Sequence, residues 1–232
     1  MASMSAAPEP PIYNCRRLVA LPRLDGDLSK PGLEHLAPAS LVHVDDQSRS
    51  VTWPTTLRAG WTDTHLYLAF DCADADIWAT YDQRDDPMYD EEVVEAFLCP
   101  TGDLRYYYEL EVNPLNAVFD ASVFSPDLRR GTMAVDSAWT CEDLETAVRV
   151  DGVVHRSPPT AHSEAPPSVR WTVEMAIPFT SVSAIAPQPG DEWRANLYRI
   201  DRAEPGEFTA WSPTYAVDYH VPARFGRLRF AE

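Results

Sequence analysis

The clearest hydropathy pattern in the chain is a period of two through residues 106–113, YYYELEVN. In a strand, Tyr106, Tyr108, Leu110 and Val112 fall on one face, and Tyr107, Glu109, Glu111 and Asn113 on the other. A second strand-like run, 92–98 (EVVEAFL), precedes it across a turn at Pro100-Thr101-Gly102-Asp103. The pair predicts a hairpin with an apolar face over a core. Its other face carries aromatics, carboxylates and an amide, and could line a groove.

The same β pattern recurs along the chain. It marks 65–70 (HLYLAF), after a turn at Trp61-Thr62-Asp63-Thr64, and then 117–124 and 139–150, the latter ending at Asp151-Gly152. In 171–177 (WTVEMAI) the pattern turns Trp171, Val173, Met175 and Ile177 inward, and 193–200, 208–212 and 225–230 complete the series. Residues 33–39 and 179–185 read as short helical turns, 128–136 as a loop, and the proline-rich 157–168 as a mobile surface insertion. Nine or ten short strands without βαβ alternation predict an all-β protein, a single antiparallel β-sandwich over 14–232 behind a flexible N-terminus, 1–13.

Composition narrows the function. The 232 residues are 45% hydrophobic, enough for a substantial core, and carry 19 basic against 36 acidic side chains, a net charge of −17. A field of that sign repels nucleic acid and anionic membranes, so neither is expected as a partner. It suits a solvated acidic surface, or hard cations that take oxygen ligands. The four cysteines, Cys15, Cys72, Cys99 and Cys141, lack zinc-ligand spacing and read as reduced thiols. With no leader peptide visible in the opening residues, this favours a cytoplasmic setting, although a removed leader leaves localisation open.

The order of several motifs carries more information than any one of them. Trp61-Thr62-Asp63 precedes Leu66-Tyr67-Leu68; Glu92-Val93-Val94-Glu95-Ala96-Phe97, 108–113, 171–179, 193–199 and Pro222-Ala223-Arg224-Phe225-Gly226 follow. Together they resemble the family 9 carbohydrate-binding modules and their DOMON-like relatives, over residues 24–230. The resemblance implies a jelly-roll-like sandwich, structural calcium, and a mono- or oligosaccharide held at its reducing end between two aromatic side chains. It places the clamp aromatics at Tyr89 and Tyr219, with His220 beside the second. It also assigns sugar contacts to Glu95 and Asn113 and a calcium ligand to Asp74. The arginine that the family carries two positions before the asparagine is Glu111 here, a charge reversal that bears on the glucose or cellobiose preference of its best-known modules.

Residue chemistry supports such a site independently. The apolar C–H faces of a pyranose pack on aromatic rings, and carboxylates and amides make paired hydrogen bonds to vicinal hydroxyls. Glu109, Glu111 and Asn113 share one strand face, with Glu174, Asn196 and Arg199 on nearby strands; a lone arginine or a glutamate in mid-sheet also suits a buried structural bridge. Asp71, Asp74 and Asp76, with Asp82, Asp85 and Asp86 close by, form an acidic stretch suited to calcium but without the EF-hand pattern. The alternative to a binding module is an enzyme, glycoside hydrolase-like or a cyclase or isomerase, using Glu109 and Glu111 as paired carboxylates. Their stems, two residues apart on one strand, are roughly 7 Å apart, a spacing that suits an inverting pair.

Overall fold

The computed structural model of the chain describes residues 7–158, 169–202 and 206–232. Most of the proline-rich insertion expected at 157–168 lies outside the described residues. Among them are fourteen strands: β1 (Ile12–Arg17), β2 (Ala39–Ser40), β3 (Val42–His43), β4 (Thr55–Trp61), β5 (His65–Asp74), β6 (Val93–Cys99), β7 (Tyr106–Val112), β8 (Val118–Phe124), β9 (Ala134–Asp136), β10 (Glu145–Asp151), β11 (Val169–Pro178), β12 (Glu192–Asp201), β13 (Glu207–Ala210) and β14 (Gly226–Ala231). One α-helical turn, α1 (Phe179–Val182), follows Pro178, the last residue of β11, which has no N–H to donate to the ladder.

Hydrogen bonding runs β10-β11-β5-β4-β1-β14-β12-β6-β7-β8-β9, a single sheet folded over into two layers, with β13 pairing β12 and β3, and β2 pairing β4. All pairings are antiparallel except the two made by β1, which lies parallel to β14 and to β4. This strand joins the halves. It starts at Ile12, inside the stretch expected to be flexible, and alternation buries Tyr13 and Cys15. The loop expected at 128–136 contains the short strand β9 on the sheet edge.

The main core lies between the layers. Leu66, Leu68, Phe70 and Cys72 of β5 and Trp171, Val173, Met175 and Ile177 of β11 face Val94, Ala96 and Leu98 of β6, Leu110 and Val112 of β7, and Leu197 of β12. Each fully buried side chain of this size contributes roughly 1.5–3 kcal/mol of hydrophobic stabilisation. A second cluster covers the opposite face of the β12-β6-β7-β8 layer, with Phe97, Tyr107, Phe119, Tyr198, Tyr219 and Phe225 at its centre. Gly226 opens β14 where a Cβ would lie 2.5 Å from the ring of Trp211, so only glycine fits there. All four cysteines are free and buried. No helix of the described residues is long and apolar enough to cross a membrane.

Candidate functional site

Period-two alternation puts Glu109 and Glu111 on the outer face of β7, and strand register does the rest. Glu95 of β6 stands directly opposite Glu111, and Phe97 opposite Glu109. On the other side of β6, Tyr198 of β12 pairs with Glu95. Three carboxylates thus share one patch of sheet, with oxygens of all three within 4.8 Å of one another. Like charges directly opposite across a ladder are destabilising. Oε1 of Glu95 is buried without a hydrogen-bond partner, and the buried oxygens of Glu111 meet no donor group of the protein, only the neighbouring carboxyl of Glu109.

Loops on either side raise walls around this patch and leave a cleft of about 680 Å³, ample for one or two sugar rings. Glu95, Glu109, Tyr219 and His220 line its base, with Glu111 fully buried just beneath. Tyr89, Phe119, Met133, Val135, Phe208 and Val217 supply apolar surface, and Asp90, Arg130, Arg202 and Asp218 bring charge to it. Tyr89, 41% exposed, leans edge-on against Phe119 with ring centroids 5.6 Å apart. Arg202 donates to the Tyr89 carbonyl, and Arg130 to Asp218.

Burial dominates the electrostatics. It raises Glu109 to about 7, against the opposing effects of a hydrogen bond with Glu111 and then the charge of Arg130. Glu111 lies well above the ordinary carboxylate range through burial and then the charges of Glu95 and Glu109. Glu95 is raised for the same reasons, burial first and Glu109 next, with Arg130 and Arg202 opposing. His220 is lowered to about 4 by burial and then by Arg130. Its Nδ1 lies 2.9 Å from the Tyr107 hydroxyl and its Nε2 3.8 Å from Glu109 Oε1. The Tyr107 hydroxyl lies between His220 Nδ1 and Met133 Sδ, the latter 3.4 Å away.

The residues expected at the site fall into two groups. Tyr89, Glu95, Tyr219 and His220 line the cleft together, with Glu111 under its floor. Tyr219, however, is not an open loop ring: it is 8% exposed, stacks on Tyr198 at 4.1 Å and donates its hydroxyl to the Arg199 carbonyl. One ring face is therefore covered. Asn113 belongs to a turn instead of the floor. Its amide donates to the Tyr81 carbonyl and its oxygen accepts from the Leu115 and Ala117 amides, so its bonding capacity is used within the protein.

Asp74 lies on β5, away from the residues lining the cleft. Its Oδ1 accepts from the Ala75 and Asp76 amides, and its Oδ2 from Arg199 at 2.7 Å and Trp171 Nε1 at 3.2 Å. Four donors use the lone pairs of the carboxylate, and the neighbouring cation is a guanidinium. Asp74 so arranged does not fit a calcium ligand. Arg199 is the structural bridge, and also donates to the Ala73 carbonyl and to Asp201. Glu174 accepts from Lys30, Tyr67 and the amides of Asp25 and Gly26, while Asn196 binds both the amide and the carbonyl of Ser212. None of these three is free for a ligand.

Sequence reasoning left out Arg130, Arg202, Met133, Val135, Val217 and Asp218. Apart from Val135, on the short edge strand β9, they sit outside the strands on segments with no periodicity, and only folding brings them to the hairpin face.

The fold and site have relatives. The sequence profile described as carbohydrate-binding family 9 matches residues 40–230. An "Extracellular protein" of Arthroderma benhamiae is 27% identical over 185 residues, covering 76% of this chain and 78% of that protein. Among solved structures, one from Bacteroides uniformis described as a candidate carbohydrate-binding protein superposes with a TM-score of 0.72 at 18% identity, covering 96% of this chain and all of the other. A family 9 carbohydrate-binding module from Caldicellulosiruptor kristjanssonii in complex with cellotriose gives a TM-score of 0.64 at 13% identity, covering 95% and 93%. A family 9 module from the same organism in complex with glucose gives 0.61 at 14% identity, covering 94% of each chain.

Proposed function

The chain belongs to carbohydrate-binding family 9, and from that premise we propose that it binds a mono- or short oligosaccharide in the cleft over the outer face of β6 and β7. The observation that carries this reading is the cleft's chemistry. An exposed tyrosine and an apolar wall stand beside Glu95, Glu109 and His220, which supply acceptors and a donor for hydroxyls. Tyr89 is the stacking surface. Tyr219 offers an edge, not a second open face, so the ring is clasped on one side and hydrogen-bonded below. Glucose and cellotriose, the ligands of the Caldicellulosiruptor modules, are the first to test. Capture of the reducing end is tested by comparing each sugar with its alditol.

Hydrolysis by Glu109 and Glu111 has less support. Their oxygens lie within 4.8 Å, too close for the roughly 6.5–9.5 Å of an inverting pair, and a retaining pair at roughly 5–5.5 Å needs both carboxyls to reach the bond, whereas Glu111 is fully buried beneath the cleft.

A glycan array followed by calorimetry tests the proposal. Tyr89→Ala is expected to weaken binding by roughly 1–3 kcal/mol, the range for a lost aromatic anchor, with an unchanged melting temperature. Tyr219→Ala behaves differently, costing roughly 3–5 kcal/mol of stability because it opens a cavity beside Tyr198. No hit on the array, or a hit indifferent to Tyr89→Ala, rejects the site.

A further inference from the structure

Among the described residues, Glu95, Glu109 and Glu111 are the one group of three or more acidic, histidine or cysteine side chains whose ligand atoms converge. We propose that they hold a hard divalent cation of calcium's size, with coordination positions left open toward the cleft. Two oxygens on opposite sides of an ion bound at roughly 2.3–2.6 Å stand at most about 5 Å apart, and these lie within 4.8 Å.

A second observation points the same way. Oε1 of Glu95, almost fully buried, has no hydrogen-bond partner, and the fully buried oxygens of Glu111 meet no donor group of the protein, only the neighbouring carboxyl of Glu109. Buried oxygens of this kind are costly unless a ligand fills the space between them. The protein's own cations do not do so. Arg130 pairs with Asp218, Arg202 binds a carbonyl and lies over the ring of Phe208, and no arginine or lysine of the described residues comes within ion-pair distance of the three carboxylates.

An all-oxygen donor set selects calcium, magnesium or manganese over zinc or copper. Three carboxylates do not complete six to eight positions, so water or the vicinal hydroxyls of a sugar fill the rest. That last point deepens the sugar-binding proposal and rests on it. The cation site itself does not.

The experiment uses the full chain, stripped with chelator and shown to be metal-free, without sugar. Terbium luminescence and calorimetry with calcium, magnesium and manganese are expected to show one saturable site, at which calcium displaces terbium. Glu111→Gln and Glu95→Gln, which keep side-chain shape, should each weaken it by roughly tenfold or more, since affinity follows the number of charged ligands. No saturable binding, or affinity unchanged in both variants, overturns the cation site. Sugars are titrated separately in chelator and in calcium, and a bridged sugar binds at least tenfold more weakly in chelator. Equal sugar binding in both overturns the bridging and leaves the sugar reading intact. Cation binding without any sugar hit supports the site and removes that reading.

Discussion

Two groups of buried carboxylates lie in the same folded sheet, and they are neutralised in different ways. Asp74 of β5 and Asp201 of β12 converge on the guanidinium of Arg199, which is itself almost wholly buried and also bonds the Ala73 carbonyl. Glu92 lies against them, raised well above its ordinary range by burial and then by the charges of Asp74 and Asp201. Across β6, Glu95, Glu109 and Glu111 converge with no guanidinium among them, and their side opens to a cleft. The first group carries its cation in the chain and closes the structure. The second keeps its charge unmatched where a ligand can reach it. Asp74 is satisfied from within and has no capacity left to bind; the Glu92 oxygens also lack hydrogen-bond partners but do not line the cleft, so it is the unmatched acceptors of the second group that can give a ligand its binding energy.

The largest effect should come from removing the internal cation. Arg199→Met is expected to destabilise the protein by roughly 3–5 kcal/mol, because it removes the guanidinium that neutralises the buried carboxylates of Asp74 and Asp201. Urea denaturation measures this, and a loss under about 1 kcal/mol would remove the distinction between the groups. The opposite sign is expected on the cleft side. In metal-free protein at neutral pH Glu111→Gln should stabilise by roughly 1–3 kcal/mol, since the buried glutamate must either take up a proton or bear a charge beside Glu95 and Glu109, and the amide does neither. Destabilisation by this variant would mean that Glu111 already has a compensating partner.

A smaller effect is the pH dependence. Glu109 ordinarily titrates at 4.5 and in the folded chain at about 7, so the folded state holds its proton more tightly. Its contribution is fully present below 4.5 and is lost as pH rises through about 7. His220, lowered to about 4 from 6.5, acts in the other direction: its contribution is present above 6.5 and is lost as pH falls toward 4. The two overlap, and Glu109→Gln separates them. Chelator-treated wild-type protein should lose stability relative to this variant between pH 4.5 and about 7, read as the difference between their melting curves. A constant difference across that window would show Glu109 to be ordinary.

The sequence made one half of this comparison more visible than the other. The face shared by Glu109 and Glu111 follows from period two alone. That Glu95 stands opposite Glu111 depends on register, and the turn marked at 100–103 is shorter than the 100–105 connection that joins β6 to β7. The run Asp71, Asp74 and Asp76 resembled a cation site because its partner is remote: Arg199 is 125 residues away in the chain. Tyr219 looked exposed among polar neighbours, yet its ring packs on Tyr198, a contact no local pattern contains. Strand β1 escaped notice because its parallel pairing with β14 spans nearly the whole chain. Strands and faces are local and were legible; register, ion pairing and the cleft walls are long-range and were not.

The most direct test of the unmatched carboxylates is a carbon-13 NMR titration of the glutamate side-chain carboxyls in chelator-treated protein. The account predicts a resonance with its midpoint near pH 7, absent in Glu109→Gln, and further ones above the ordinary glutamate range from Glu95 and Glu111. Glu95, Glu109 and Glu111 titrating near 4.5, with only the Glu92 resonance raised, would contradict it.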